Sequence, residues 1–285
     1  FKNKRSVEFV VYCMNSKSAS EQLKLASEIR ARAEQELIRQ NDLMQQELLM
    51  AAEFQQGVLP SPSALPYLKT NIIYKPFAEV SGDVYDFLQN RERELAIFLG
   101  DATGHGIAAA LMTMMIHIGL EGIRRNLPTH ESISKLNKLI ASRETGRSVS
   151  GIFLRIAPAG LLTVSHAGHP SLIIIPANGE PLVQFEKGGC ALGIFEDEPV
   201  PYEEESYQLA VGDKLIAYTD GVIEWANRDK EVFGLERLLT LLSKHQKEEV
   251  ENISTLLLDE LEEFTEGEVC NDDLTALILE YVGDE

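Results

Sequence analysis

Cysteine is scarce: Cys13, Cys190 and Cys270 are the only ones in 285 residues, odd in number and far apart. They build neither a disulfide framework nor a zinc-ligand spacing, so a reducing compartment, the cytoplasm, is expected. No run approaches the ~18 apolar residues of a membrane span, and nothing at the start reads as a signal peptide. An excess of positive charge is missing too. The chain has 45 acidic against 26 basic residues, a formal net charge of -19. Such a chain is badly suited to gripping nucleic-acid phosphates or lying on an anionic membrane, and neither partner is expected. What is present is ordinary for a globular protein, 44% apolar and 25% charged residues. The length suits one large domain, or a medium domain with an appendage. Because the sequence opens at Phe1 without a methionine, it reads as a piece of something longer.

Charge is unevenly spread. Residues 1–60 hold 8 basic and 8 acidic side chains, so the remaining 225 residues carry the whole excess. Within the neutral segment, Ser18 followed by Glu21 has the form of a capping box. From there to Gln56 neither proline nor glycine occurs, and Gly57, Pro60 and Pro62 then act as stops. At ~1.5 Å per residue this helix is on the order of 55–60 Å long. Leu37, Asn41, Met44, Leu48, Ala51, Gln55 and Val58 step by four and three alternately, a coiled-coil seam. Ala26, Ile29 and Ala33 continue it upstream after one stutter. The expectation is a long regulatory helix over 18–59 that pairs with its own copy as a homodimer. The competing reading is a helix that packs on the domain after it. Residues 1–17, with the apolar VEFVVY stretch, are expected to be the remnant of an upstream domain or linker. An upstream sensory or receiver domain would then set the register of the pair.

From about Thr70, short β-branched or aromatic runs alternate with turn residues: NIIYKPFA, VYDFL, ELAIFLG, SVSGIFLRIA, LLTVSHAG, SLIIIPA, KLIAYTDGV and LTALILEYV. Asn178-Gly179 between SLIIIPA and PLVQF predicts a two-residue hairpin turn. Two helical patterns interrupt the strands and two more come near the end, in LERLLTLLSKH and EEVENISTLLLDELEEF. This order predicts an antiparallel α+β layered domain over 60–285.

Four aspartates stand at strand ends or in turns: Asp83 in VSGDVYD, Asp101 in LGDATGHG, Asp220 in YTDGV and Asp272 in NDDLT. Carboxylates gathered in one cleft repel and raise one another's pKa unless a cation intervenes. A hard divalent cation, magnesium or manganese, suits an all-oxygen set. Two such ions on the order of 4 Å apart can hold and activate a water for in-line attack on phosphorus, with no protein nucleophile required.

VSGDVYDF, ELAIFLGDATGHGIAAALM, VSHAGHPSLIII, KLIAYTDGVIEW and NDDLTALILE, in this order, resemble the motifs of metal-dependent PPM-type serine/threonine phosphatases, most closely the bacterial SpoIIE branch. The resemblance runs from about Met44 to Tyr281 and includes the lead-in FQQGVLP. It implies an antiparallel β-sandwich between helical layers and two bound manganese or magnesium ions. The implied reaction is hydrolysis of phosphoserine or phosphothreonine on a regulatory protein, a phosphorylated STAS-domain antagonist of an anti-sigma factor. By the same resemblance Asp101 bridges the two metals and the activated water, with the backbone carbonyl of Ala102 as a further ligand. Asp220 and Asp272 complete one metal, and Asp83 stands at the other side. Ser81 departs from the glycine usual in the family, and no arginine takes the place of the phosphate clamp of eukaryotic relatives. A second function class is a catalytically silent phosphatase-like module that binds a regulatory partner. Such a module would be free to lose its aspartates, and this chain has all four.

Other motifs have plainer readings. GHGIAA matches a dinucleotide fingerprint, but Asp101 would face the pyrophosphate. His166 and His169 in HAGH read as structural, and His105 beside the metal loop is not assigned a catalytic role. Met112, Met114 and Met115 read as helix core, the alternative being a surface that repacks.

Overall fold

The computed structural model describes residues 19–61, 65–123, 126–143, 146–185, 188–197, 199–270 and 272–284. Ser18, invoked as a helix cap, and residues 1–17 lie outside this set. The chain divides into two compact units, Phe1–Met50 and Ala51–Glu285.

The described residues of the first unit belong to one helix, α1, which runs Ala19–Val58. It passes through Gly57 and ends before Leu59 and Pro60, inside the expected span. Leu37, at 60% exposure, and Met44, Leu49 and Met50 are uncovered. None of the described helices is long and apolar enough to cross a membrane.

The second unit is a four-layer α/β/β/α arrangement, as the motif order implied. One sheet has the order β1-β11-β10-β6-β7, formed by Leu68–Lys75, Leu274–Tyr281, Lys214–Tyr218, Leu172–Ile175 and Val183–Phe185. The other runs β2 (Asp83–Gln89), β3 (Leu95–Ala102), β4 (Val149–Ile156), β5 (Leu161–Ala167) and the two-residue β8 (Gly188–Gly189), with β9 (Glu205–Gln208) also on β5. All pairings are antiparallel except β5 with β8. Strand β3 explains the layers. Leu95, Ile97 and Leu99 point into the core between the sheets, while Ala96, Phe98 and Ala102 pack under helices α2 (Ile107–Gly122) and α3 (Thr129–Ala141). Both faces are covered, so the strand reads as one apolar run rather than an alternation. The outer face of the other sheet, with Ile173, Ile216 and Tyr218, is covered by α5 (Gly234–Lys244) and α6 (Val250–Thr265).

Two expectations need correction. Strand β6 does pair with β7, but residues 176–182 join them, so Asn178-Gly179 sits in a longer loop than a two-residue turn. Gly221 and Val222, read as the end of the KLIAYTDGV run, open a short helix instead, α4 (Gly221–Glu224). The strand after GHGIAA, β4, runs antiparallel to β3, which removes the dinucleotide reading.

Candidate active site

The site is built from turns at strand ends. Strands β2 and β3 place Asp83 opposite Asp101, and Asp101 lies opposite Ser150 on β4. The approach to Asp83 demands a glycine: Gly82 accepts the Ala102 N–H at 3.0 Å. A Cβ on Gly82 would stand 3.0 Å from the Ala102 carbonyl oxygen and 3.2 Å from that of Gly104. Ser81 fits where glycine is usual, because its buried hydroxyl accepts the Asp83 N–H at 3.0 Å. Asp83 itself is 1% exposed. One of its oxygens accepts hydroxyls from Thr219 at 2.9 Å and Thr275 at 2.5 Å, and the other, Oδ1, is buried without a hydrogen-bond partner.

The second sheet supplies the remaining carboxylates. Asp220 follows β10 and opens α4. A Cβ on Gly221 would lie 2.0 Å from the Asp273 carbonyl oxygen, so the turn of Asp220 and the 272–273 segment touch through bare backbone. Half-buried Asp272 accepts the Asp273 N–H at 2.9 Å. Asp273 is buried and splits its oxygens between the N–H groups of Phe77 and Gly82, each at 2.7 Å. It is thereby the cross-link that holds the Asp83 turn against β11. Gly221→Ala is expected to lower the melting temperature by several degrees and remove turnover together, because backbone, not a flexible side chain, blocks the new methyl. A thermal melt with wild-type midpoint would contradict this packing.

Electrostatics follow from the crowding. Burial, followed by the charges of Asp220, Asp272, Asp273 and Glu224, pushes Asp101 up to about 7. Asp83 is raised well above the carboxylate range by burial and by Asp101, with the two threonine hydroxyls partly offsetting this. Asp220 is raised by burial and by Asp272 and Glu224. Among the described residues, no three His, Cys, Asp or Glu side chains converge tightly enough to enclose an ion by themselves. Magnesium and manganese do not demand such a cage. They retain several waters and use only one or two carboxylates each. Hard oxygen donors, an orphaned buried Asp83 oxygen and mutually raised carboxylates fit such ions.

Several contributors were not singled out in the sequence. Thr219 and Thr275 flank the motif aspartates and orient Asp83, and Asp273 is the silent half of NDD. Gln55, read as a seam position of the long helix, is 5% exposed inside the second unit. Its amide donates to the Ser81 carbonyl and the Thr113 hydroxyl, both at 2.8 Å, and accepts the Ser81 N–H at 3.0 Å. The end of α1 is thus tied to the Asp83 turn and to α2. His169 is half-buried, with Nδ1 2.8 Å from the Ser150 hydroxyl. Burial, then His166, lowers it to about 3, and burial lowers His166 to about 4. Both stay neutral at working pH, in keeping with a structural role. His105 is exposed, its ring 6.0 Å from that of Phe77.

The family model for stage II sporulation protein E (SpoIIE) matches residues 91–282. Phosphoserine phosphatase RsbP of Bacillus subtilis is 27% identical over 185 residues, 62% of this chain and 45% of that protein. Protein IcfG of Synechocystis is 24% identical over 263 residues, 81% of this chain and 41% of that protein. The chain therefore spans less than half the length of these relatives. Among solved structures, the SiaA-PP2C domain of Pseudomonas aeruginosa superposes with a TM-score of 0.75 at 21% identity, covering 85% of this chain and 98% of that one. RsbX in complex with magnesium has a TM-score of 0.56 at 18% identity, over 75% and 94% of the two chains.

Proposed function

The chain belongs to the SpoIIE family, the bacterial branch of PPM-type phosphatases, and on that premise we propose that it hydrolyses phosphoserine or phosphothreonine on a regulatory protein, with two manganese or magnesium ions as cofactors. The observation that carries this reading is the meeting of carboxylates from both sheets, with one buried Asp83 oxygen left unpaired. Asp101 would bridge the ions, the Ala102 carbonyl and Asp83 would serve one side, and Asp220 and Asp272 the other. Ions held there would activate water and polarise the phosphoryl group. The protein's own part is positional: Thr219 and Thr275 fix the rotamer of Asp83, and Asp273 fixes the turn carrying it. The substrate class we favour is a phosphorylated STAS-domain protein, in line with RsbP being a phosphoserine phosphatase. Phosphate release from a phosphoseryl protein should require manganese or magnesium and stop in excess chelator. Full activity in chelator would end this reading.

We also propose that α1 pairs with a second copy through its exposed stripe and that the pairing reaches the site through Gln55. Leu48→Asp places a charge in that stripe and should convert a dimer to a monomer in sedimentation at tens of micromolar. A wild type already monomeric there would contradict the pairing.

A further inference from the structure

Two exposed rings face each other at the edge of the carboxylate cluster. Phe77 is 42% exposed, and the exposed His105 ring stands 6.0 Å from it at an interplanar angle of 79°, edge to face. They reach this point from opposite sides. Phe77 lies between β1 and β2, and its N–H donates to Asp273 Oδ1 at 2.7 Å, while the other Asp273 oxygen takes the Gly82 N–H at 2.7 Å. His105 lies in the loop between Asp101 and α2, where the Gly104 carbonyl oxygen is 3.2 Å from the place of a Cβ on Gly82. Phe77, Asp273, Gly82, Gly104 and His105 thus enclose the Asp83 turn in a ring of close approaches. The loop is shaped by its own backbone. Gly104 and Gly106, on either side of His105, have φ of +83° and +80°, the left-handed region that a side chain disfavours. Thr103 is tied to Ser148 by a backbone hydrogen bond of 2.9 Å. Neither packing nor the cluster accounts for the Phe77 ring. Among the described residues the hydrophobic clusters do not include it, and what Asp273 uses is a backbone N–H that any residue but proline supplies.

We propose that Phe77 and His105 form an aromatic wall that binds the segment flanking the phosphoserine of a protein substrate, with an apolar side chain next to the phosphoserine lying on the two rings. This rests on the phosphatase reading above and deepens it: the carboxylate centre takes the phosphate, and the wall takes the chain that carries it. Rigid rings offer a large contact area and lose little conformational entropy on binding. Held as they are to the Asp273 and Asp101 segments, they keep a fixed place beside the reacting group.

The test uses the whole chain with manganese and two phosphoserine peptides, one with leucine and one with glycine on both sides of the phosphoserine. Wild type should prefer the leucine peptide in kcat/KM by about tenfold, the discrimination an apolar contact gives. Phe77→Ala should bring that ratio close to one, through KM more than kcat, while Val211→Ser, on an exposed residue between β9 and β10, should keep it. His105→Ala should lower the ratio, and His105→Phe, which keeps a ring but removes the imidazole nitrogens, should restore it. A wild-type ratio near one, or a ratio indifferent to Phe77→Ala, overturns the wall. Loss of all turnover in His105→Phe would assign His105 to proton transfer and overturn it equally. Because Phe77→Ala retains the N–H that holds Asp273, its manganese affinity by calorimetry should match wild type; a fall in parallel with the ratio would make the ring a support of the ion site and end the proposal. If wild type hydrolyses neither peptide nor p-nitrophenyl phosphate, the phosphatase reading itself falls.

Discussion

Asp101→Asn is expected to remove turnover, by on the order of a thousandfold or more, while making the ion-free protein more stable. The loss follows from deleting the charge proposed to bridge two cations. The gain follows from the raised pKa. Asp101 titrates at about 7 in the folded chain against an ordinary 3.8, chiefly through burial and then through Asp220 and the neighbouring carboxylates. Its folded-state pKa is raised, so the folded protein binds the extra proton between these values. Below about 4 the group costs nothing; as pH rises through 7 the full cost of a buried, repelled charge appears. Asparagine never carries that cost. At pH 8 in chelator the variant should melt a few degrees above wild type, on the order of 2 kcal/mol after allowance for solvent screening. The comparison belongs at pH 8 because His166 and His169 act in the opposite sense. Their folded pKa values of about 4 and 3 lie below the ordinary 6.5, so stability is lost as pH falls below 6.5. A variant that melts below wild type in chelator at pH 8 would contradict the crowding.

Gln55→Met carries the second large effect. The substitution keeps the length of the side chain but leaves the Ser81 N–H and carbonyl, both buried, without the amide that pairs them. Each unpaired buried group costs about 1–3 kcal/mol. The consequence for function is sharper than that for stability, because Ser81 itself holds the Asp83 N–H. Manganese affinity should fall about 10- to 100-fold, the usual cost of losing a residue that supports a ligand from behind, and turnover should fall with it. Wild-type metal affinity would mean that the last turn of α1 merely packs.

The long strands of the second unit were legible because each is either an apolar run, as in ELAIFLG, or an alternating one, and because turn residues bracket them; β8, two glycines, and β9, ESYQ, carry no such pattern and were not read. The aspartates were legible for a related reason: a carboxylate directly after a buried strand has few destinations besides a shared cleft. Asp273 was not. In NDD the two carboxylates are adjacent, and only the three-dimensional path of the chain shows that Asp273 turns inward to Phe77 and Gly82. Gln55 was hidden by periodicity, which places a residue on a helix face but cannot say whether the face meets a second helix or the turn of Asp83. The threonines at 219 and 275 lay inside quoted motifs, yet a hydroxyl beside an aspartate is common in turns and signals nothing until both reach the same oxygen.

The central claim is that carboxylates from both sheets form a two-ion centre bridged by Asp101. Manganese titration of the whole chain, followed by calorimetry and by electron paramagnetic resonance, tests it directly. Two ions per chain with a spin-coupled signal, as for a pair on the order of 4 Å apart, are expected in wild type, and the coupled signal should vanish in Asp101→Asn. Manganese binding of identical stoichiometry and signal in wild type and Asp101→Asn would contradict it.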